Sequence, residues 1–356
     1  MHQLLTQLVE QSQQPLPTAP DLSERLSTLE TLRDLLACIS RGMSKFIPHF
    51  VIRAARFSTS ATAKMRFVQY KCSPSGTIRL GAQVKEGGDI VEISSGKTDV
   101  PSSLVSLIKR GPEALQKAER VVADGQSAVK LSDVTLLSPV LSPDKIICVG
   151  LNYKSHCDEQ KKPYPVEPFF FNKFPSTIIG PNDDIINPPS SKFLDWEVEL
   201  AVIIGKKCRQ VTKEDADDYI FGYTVANDLS ARDWQVPKKN NGQWLFAKSM
   251  DTFCPLGPVV VSKDEIEDPH NLKLKCSVNG TQRQEGNSGD MIHNIHALIS
   301  YLSGLITLLP GDVILTGTPS GVGVFMDPKI SLRPGDVVEA EIAGIGKLCN
   351  KVVSFS

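Results

Sequence analysis

The sequence predicts an α+β protein that is mostly β, with a small N-terminal α+β domain ahead of a larger β-rich one. Three observations carry this. Apolar runs of strand length dominate after residue 134, and Val198-Glu-Leu-Ala-Val-Ile-Ile204 is the clearest. Turn chemistry separates the runs: Asn279-Gly280 is a strong hairpin signal, and Pro310-Gly311-Asp312 and Pro334-Gly335-Asp336 each stand at the entry to a strand. Helical periodicity is confined to short stretches around 102–109, 112–124 and 292–307.

In chain order, residues 1–42 contain Glu10, Asp21, Glu24, Glu30 and Asp34, with a weak amphipathic pattern in Leu22, Leu26, Leu29 and Leu36. They read as an upstream extension outside the fold, an isoform tail or a stretch absent from the working protein. Residues 43–64 carry Lys45, Arg53, Arg56 and Lys64 without an acid, and Arg56-Phe57-Ser58 resembles a processing site. This is the composition of a mitochondrial targeting segment, so the matrix is the expected compartment. Residues 65–133 form the small α+β domain: alternating runs at Arg66–Tyr70 and Ile90–Ile93, broken at Gly87-Gly88, and then the two short helices. Residues 134–356 form the main domain.

The densest chemistry is at Asp195-Trp-Glu-Val-Glu-Leu-Ala-Val-Ile-Ile-Gly-Lys206. Strand side chains two apart share a face, with Cα atoms roughly 6.5–7 Å apart. Glu197 and Glu199 therefore project together, with Val198, Leu200, Val202 and Ile204 on the opposite, buried face. Paired carboxylates on an apolar strand stay ionised when a cation sits between them. Oxygen ligation suits a hard ion: Mg²⁺ or Mn²⁺, with Ca²⁺ as a third candidate. The competing reading is an exposed edge strand with two solvated acids.

A third acid follows in Tyr223-Thr-Val-Ala-Asn-Asp-Leu-Ser-Ala-Arg-Asp-Trp-Gln235. A β run ends at Asn227, and Asp228 is suited to cap a helix on which Asp228, Arg232 and Gln235 share one face at i, i+4 and i+7. Such a stripe fits the wall of a polar pocket. A surface helix with a capping Asp and an Asp–Arg pair is the plainer alternative.

The order DWEVELAVIIGK, NDLSARDWQ, LFAKSMDTFCPLGP and LLPGDVILTGTPSGVG resembles the fumarylacetoacetate hydrolase superfamily, and upstream IICVGLNYKSHCDE and PFFFNKFPSTIIGP resemble its entry segment. The resemblance covers roughly residues 134–353. It implies a mixed β-sandwich roll and a homodimer. It also implies metal ligation by Glu197, Glu199 and Asp228, substrate contacts from Arg232 and Gln235, and Lys248 beside the metal. Thr318 would bind a substrate carboxylate, and His156 with Glu159 would form a proton-transfer dyad on a mobile lid.

Composition narrows the remainder. The chain has 356 residues, 41% of them hydrophobic, with net charge −1, so it carries no basic footprint for nucleic acid. No apolar run approaches membrane-span length. Eight scattered cysteines without a CxxC pair argue against structural zinc and a secreted disulfide framework, and Cys157 reads as a passive thiol. GTPSGVG at 317–323 lacks a following helix, and Ser95-Gly96-Lys97-Thr98 has Val91 where a P-loop needs Gly, so nucleotide binding is not expected. His293 and His296 lack a third donor for a transition metal.

The apparatus implied by the resemblance suits a small 2-oxo acid or dicarboxylate. One enolate has three fates: protonation (tautomerisation), loss of CO₂ (oxaloacetate decarboxylation), or C–C cleavage of an acylpyruvate by activated water. Together with the targeting signal, the resemblance favours a tautomerase acting on enol-oxaloacetate. Acylpyruvate hydrolase, oxaloacetate decarboxylase and a non-catalytic metal and dicarboxylate binder are the alternatives.

Overall fold

Turn chemistry appears where the sequence places it. Asn279 and Gly280 have φ of 52° and 74° between the strands Lys273–Val278 and Thr281–Asn287. Two consecutive left-handed residues are what a two-residue hairpin matched to strand twist requires. The two Pro-Gly-Asp turns lead into Val313–Leu315 and Val337–Ile342. The computed structural model describes residues 64–355 apart from 73–74, 97, 126–127 and 239. The upstream extension and all but the last residue of the targeting segment lie outside the described residues.

Two sheets pack against each other. The larger has twelve strands. Its centre runs Arg66–Cys72, Cys254–Ser262, Ile220–Asn227, Val198–Ile204, Val313–Leu315, Ile146–Gly150 and Phe169–Lys173. The smaller comprises Thr281–Asn287, Lys273–Val278, Val337–Ile342, Gly346–Ser354 and Ile185–Asn187. Most pairings are antiparallel, but Val313–Leu315 with Ile146–Gly150 and Gly346–Ser354 with Ile185–Asn187 are parallel, so the roll is mixed.

One core fills the space between the sheets. Val198, Leu200, Val202 and Ile204 meet Leu274, Cys276, Val338, Ala340 and Leu348 there, with Ile295, Leu298, Ile299 and Leu302 of the helix Ile295–Leu305 alongside. That helix is shorter than its apolar pattern because the Asn294 side chain accepts from the Ala297 amide and sets its start.

A second core lies on the other face of the large sheet. Ala201 and Ile203 pack with Ile146, Cys148 and Val313, and with Leu104, Leu107, Ile108 and Ala118 of the helices Leu104–Arg110 and Pro112–Ala123. The strand Val198–Ile204 is thus buried along its whole length and on both faces, which corrects the expectation of a single buried face. It is a central strand, and the edge-strand alternative falls. Each buried Val, Leu or Ile on it contributes about 1.5–3 kcal/mol, enough to hold neighbouring carboxylates where water would not leave them.

Residues 65–133 share this sheet and this core. Arg66–Cys72 pairs with Cys254–Ser262 and with Val134–Leu137, so a division at 133/134 is one of sequence order and not of packing. The described residues form one compact unit.

Candidate metal centre and active site

Three carboxylates converge at the end of the acidic strand. Val198 pairs with Asn227 and Glu199 with Ala226, which brings Asp228 beside both glutamates. The Asp228 amide donates to the Glu197 carbonyl at 2.8 Å, and the Glu197 amide to Asn227 Oδ1 at 2.9 Å. One oxygen from each of Glu197, Glu199 and Asp228 lies within 4.8 Å of the others, and all three residues are buried.

Asp228 does not cap a helix, contrary to the sequence expectation. Ser230–Ala231 extends instead and pairs with Leu194–Asp195, and the helix that follows is the single turn Arg232–Gln235. The acid therefore stands on an extended segment ahead of that turn and shares no helical face with Arg232 and Gln235. Both Asp228 oxygens are already engaged, Oδ1 by Lys173 Nζ at 2.5 Å and Oδ2 by Lys248 Nζ at 2.7 Å.

Lys248 ends the short helix Trp244–Lys248 and also reaches Glu197 Oε2 at 2.6 Å. Burial opposes its charge, but Asp228 and Glu197 outweigh that and hold the ammonium above its ordinary pKa. Arg232 meets Glu197 Oε1 at 2.6 Å and donates through Nε to Asp195 Oδ2 at 2.8 Å. Burial raises the Glu197 carboxyl, yet Arg232 and Lys248 prevail and keep it well below the usual range. Glu199 differs. It accepts from the Gly317 amide at 2.7 Å, and no ammonium or guanidinium among the described residues forms an ion pair with it. Burial, then repulsion from Asp228 and Glu197, pushes its carboxyl well above the usual range.

Four carboxylates (Asp195, Glu197, Glu199, Asp228) thus face three cations (Lys173, Arg232, Lys248), and one negative charge is left uncompensated at Glu199. Hard oxygen donors, buried and in excess of their cations, fit a divalent metal ion.

His156, Arg232, Gln235, Lys248 and Thr318 line one cavity of about 550 Å³ with Glu197 and Glu199, and Asp228 and Glu159 join it through their contacts with Lys248 and His156. His156 lies on the short helix Lys154–Glu159 with Nδ1 2.6 Å from Glu159 Oε1, and Glu159 Oε2 accepts from the Gly321 amide at 2.9 Å. Thr318 Oγ1 is tied back, donating to the Val198 carbonyl at 2.9 Å and accepting from Gln284 Nε2 at 2.7 Å. Gln235 lines the cavity, and among the described residues its buried Nε2 finds no hydrogen-bond partner. Phe169, Phe171, Trp244 and Phe325 supply an aromatic wall, with Lys248 Nζ 4.9 Å from the Phe171 ring centroid.

Elsewhere, Cys157 donates to the Leu151 carbonyl, and burial raises its thiol, so it is a packed and unreactive group. His293 Nε2 meets the Pro165 carbonyl at 3.1 Å, and His296 lies 3.8 Å from Asp217. Among the described residues, only the Glu197, Glu199 and Asp228 group gathers three acid, His or Cys ligand atoms.

Three features escaped the sequence reading. Lys173, 1% exposed at the end of Phe169–Lys173, is the second lysine on Asp228. A lysine closing an aromatic strand was its signal. Asp195, fully buried, holds Arg232 while accepting from the Gly323 amide at 2.7 Å and the Val324 amide at 3.0 Å. It continues the period-two row of acids at 195, 197 and 199. The glycine-rich loop serves as a row of amide donors, Gly317 to Glu199, Gly321 to Glu159 and Gly323 to Asp195. At Gly317, φ is 99° and an added Cβ would lie 2.9 Å from Asn152 Cβ, so only glycine fits there without strain.

Residues 145–353 match the family described as fumarylacetoacetate (FAA) hydrolase C-terminal. The chain is 47% identical over 305 residues to a Xenopus laevis protein named "Oxaloacetate tautomerase fahd2, mitochondrial", covering 86% of this chain and 95% of the relative. Among solved structures, a fumarylacetoacetate hydrolase from Exiguobacterium antarcticum superposes with a TM-score of 0.72 at 38% identity, over 82% of this chain and 100% of that one. A maleylpyruvate hydrolase from Sphingobium sp. SYK-6, solved with manganese (II) and pyruvate, has a TM-score of 0.67 at 32% identity, over 82% of this chain and 100% of that one. With its acid strand, its dyad and its amide-donating loop assembled on this roll, the chain belongs to the fumarylacetoacetate hydrolase family.

Proposed function

We propose that the protein is a divalent-metal-dependent tautomerase that converts enol-oxaloacetate to the keto form in mitochondria. The observation that carries this is one cavity lined both by Glu197 and Glu199 of the buried three-acid group and by His156, which Glu159 holds through Nδ1. Relatives named mitochondrial oxaloacetate tautomerases support the substrate and the compartment. Residues 43–64 would supply the targeting and residues 134–356 the catalytic residues.

Glu197, Glu199 and Asp228 would hold the ion, Mg²⁺ or Mn²⁺, which when bound polarises the oxygens of a 2-oxo acid as a Lewis acid. Manganese in a related hydrolase supports the choice of ion. The protein's own groups do the rest. Arg232, with Gln235, orients the substrate carboxylates, while Thr318, its hydroxyl held by Val198 and Gln284, shapes the pocket beside them, and Lys248 places positive charge where enolate charge develops. Glu159 accepts from His156 Nδ1, which leaves Nε2 to take the enol hydroxyl proton and return a proton to C3. The aromatic wall limits water around the reacting carbon.

A second reading, acylpyruvate hydrolysis, has the same dyad activate water, and the maleylpyruvate hydrolase likeness favours it. The enol's ultraviolet absorbance, followed with metal-stripped and Mg²⁺- or Mn²⁺-loaded protein, tests the first reading. Acylpyruvate cleavage with the higher kcat/KM would replace it with the second.

A further inference from the structure

Gln160, the residue that ends the His156 helix, lines the cavity and takes no part in the chemistry above. Its Nε2 lies 2.8 Å from His156 Nε2. The other ring nitrogen, Nδ1, faces Glu159 Oε1 at 2.6 Å, and that carboxylate accepts from the Gly321 amide through Oε2. An amide nitrogen only donates, so His156 Nε2 accepts from Gln160 and Nδ1 carries the ring proton toward Glu159. The ring is further confined by Phe325, edge-on at 6.2 Å between centroids.

The nitrogen left to exchange protons is therefore occupied by the protein's own donor. We propose that Gln160 is a specificity-determining positioning residue whose amide keeps water off His156 Nε2 and biases the site against C–C hydrolysis. This rests on the tautomerase reading. An enol brings its own hydroxyl donor, anchored by the carboxylate contacts, and displaces the amide as it binds. A hydrolytic water has no such anchor and must displace a donor already held 2.8 Å from Nε2 by the end of the same helix.

Hydrolysis of an acylpyruvate R–CO–CH₂–CO–COO⁻ requires that water. Its oxygen bonds to the acyl carbon, the bond from that carbon to CH₂ breaks, and the electron pair goes to the CH₂ carbon. The proton taken by His156 Nε2 is delivered there, giving R–COOH and pyruvate.

The test uses the full chain loaded with Mg²⁺ and acetylpyruvate as the probe, with enol-oxaloacetate assayed in parallel. Gln160→Ala and Gln160→Ser vacate the position, and each should raise kcat for acetylpyruvate cleavage about 2- to 10-fold, the range set by the net contribution of one neutral hydrogen bond. The ratio of cleavage to tautomerisation rises with it. Gln160→Leu removes the donor but keeps the bulk, and should show no gain. Cleavage at or below the wild-type rate in the folded Ala or Ser variant would overturn the assignment, as would an equal gain in Leu. A wild type without enol-oxaloacetate activity would instead remove the tautomerase reading, and the variant-to-wild-type comparison on acetylpyruvate would still judge Gln160.

Discussion

Glu199→Gln should stabilise the metal-free protein and remove most of its response to metal. Glu199 is buried, repelled by Asp228 and Glu197, and held by one amide hydrogen bond from Gly317. Its folded-state pKa is raised, so its contribution to stability is fully present below the unfolded value, about 4.3, and is lost as pH rises toward the folded value. At a given pH the cost has a ceiling, the work of protonating a carboxyl that water would leave ionised. That is about 1.36 kcal/mol for each pH unit above 4.3, or about 3.7 kcal/mol at pH 7. Glutamine has the shape of the protonated acid and escapes this cost. At about 2.1 cal/mol/K per residue a unit the size of Ala61–Ser356 shifts by about 1.6 °C per kcal/mol, so the chelator-treated variant should melt above wild type at pH 7, by at most roughly 6 °C. The gap should close as pH falls toward 4.3. Metal reverses the order of response: at 100 times Kd a ligand adds about 2.7 kcal/mol to the wild type, and the variant, lacking one charged ligand, gains less. Thermal melts between pH 5 and 8, with chelator or with Mn²⁺, measure both effects. A metal-free variant melting at or below wild type at pH 7 would refute the electrostatic argument, and equal metal shifts would refute the ligand assignment.

His156→Ala should slow tautomerisation about 10²- to 10⁴-fold, with the residue carried by solvent protons, and the enol absorbance assay reads this directly. An undiminished rate would remove the dyad from the mechanism. Lys173→Met leaves Asp228 with one of its two buried ammonium partners, a break that typically costs about 3–5 kcal/mol, so the metal-free melting temperature should fall by roughly 5–8 °C. No fall would mean that Lys248 alone compensates the acid. A reporter fused to residues 43–64 should enter mitochondria, while a fusion beginning at Met1 should import poorly; a cytosolic 43–64 fusion would sink the targeting reading.

Features set by neighbours along the chain were legible. The Asn279-Gly280 hairpin, the two Pro-Gly-Asp turns and the helices near 104–123 and 295–305 follow from local dihedral preference and periodicity. The period-two placement of Glu197 and Glu199, and the i, i+3 placement of His156 and Glu159, are likewise local, and each pair shares a face as spacing requires. Local spacing misled at Asp228. Positions 228, 232 and 235 fit a helix, but pairing of Ser230–Ala231 with Leu194–Asp195 holds the backbone extended until Arg232.

Sequence alone determined which groups the site has to work with: three acids, a dyad, an arginine and a lysine, in an order that resembles one family. It could not say how their charges balance. Lys173 reaches Asp228 across 55 residues, the Gly317 amide reaches Glu199 across 118, and Asp195 binds Gly323 across 128. These contacts exist because two sheets and two cores bring distant segments into one dry space, where an unpaired charge is costly and each donor counts. Tertiary structure therefore decided which carboxylate is left without a cation and which nitrogen of His156 faces the cavity, since both depend on partners that no local spacing encodes.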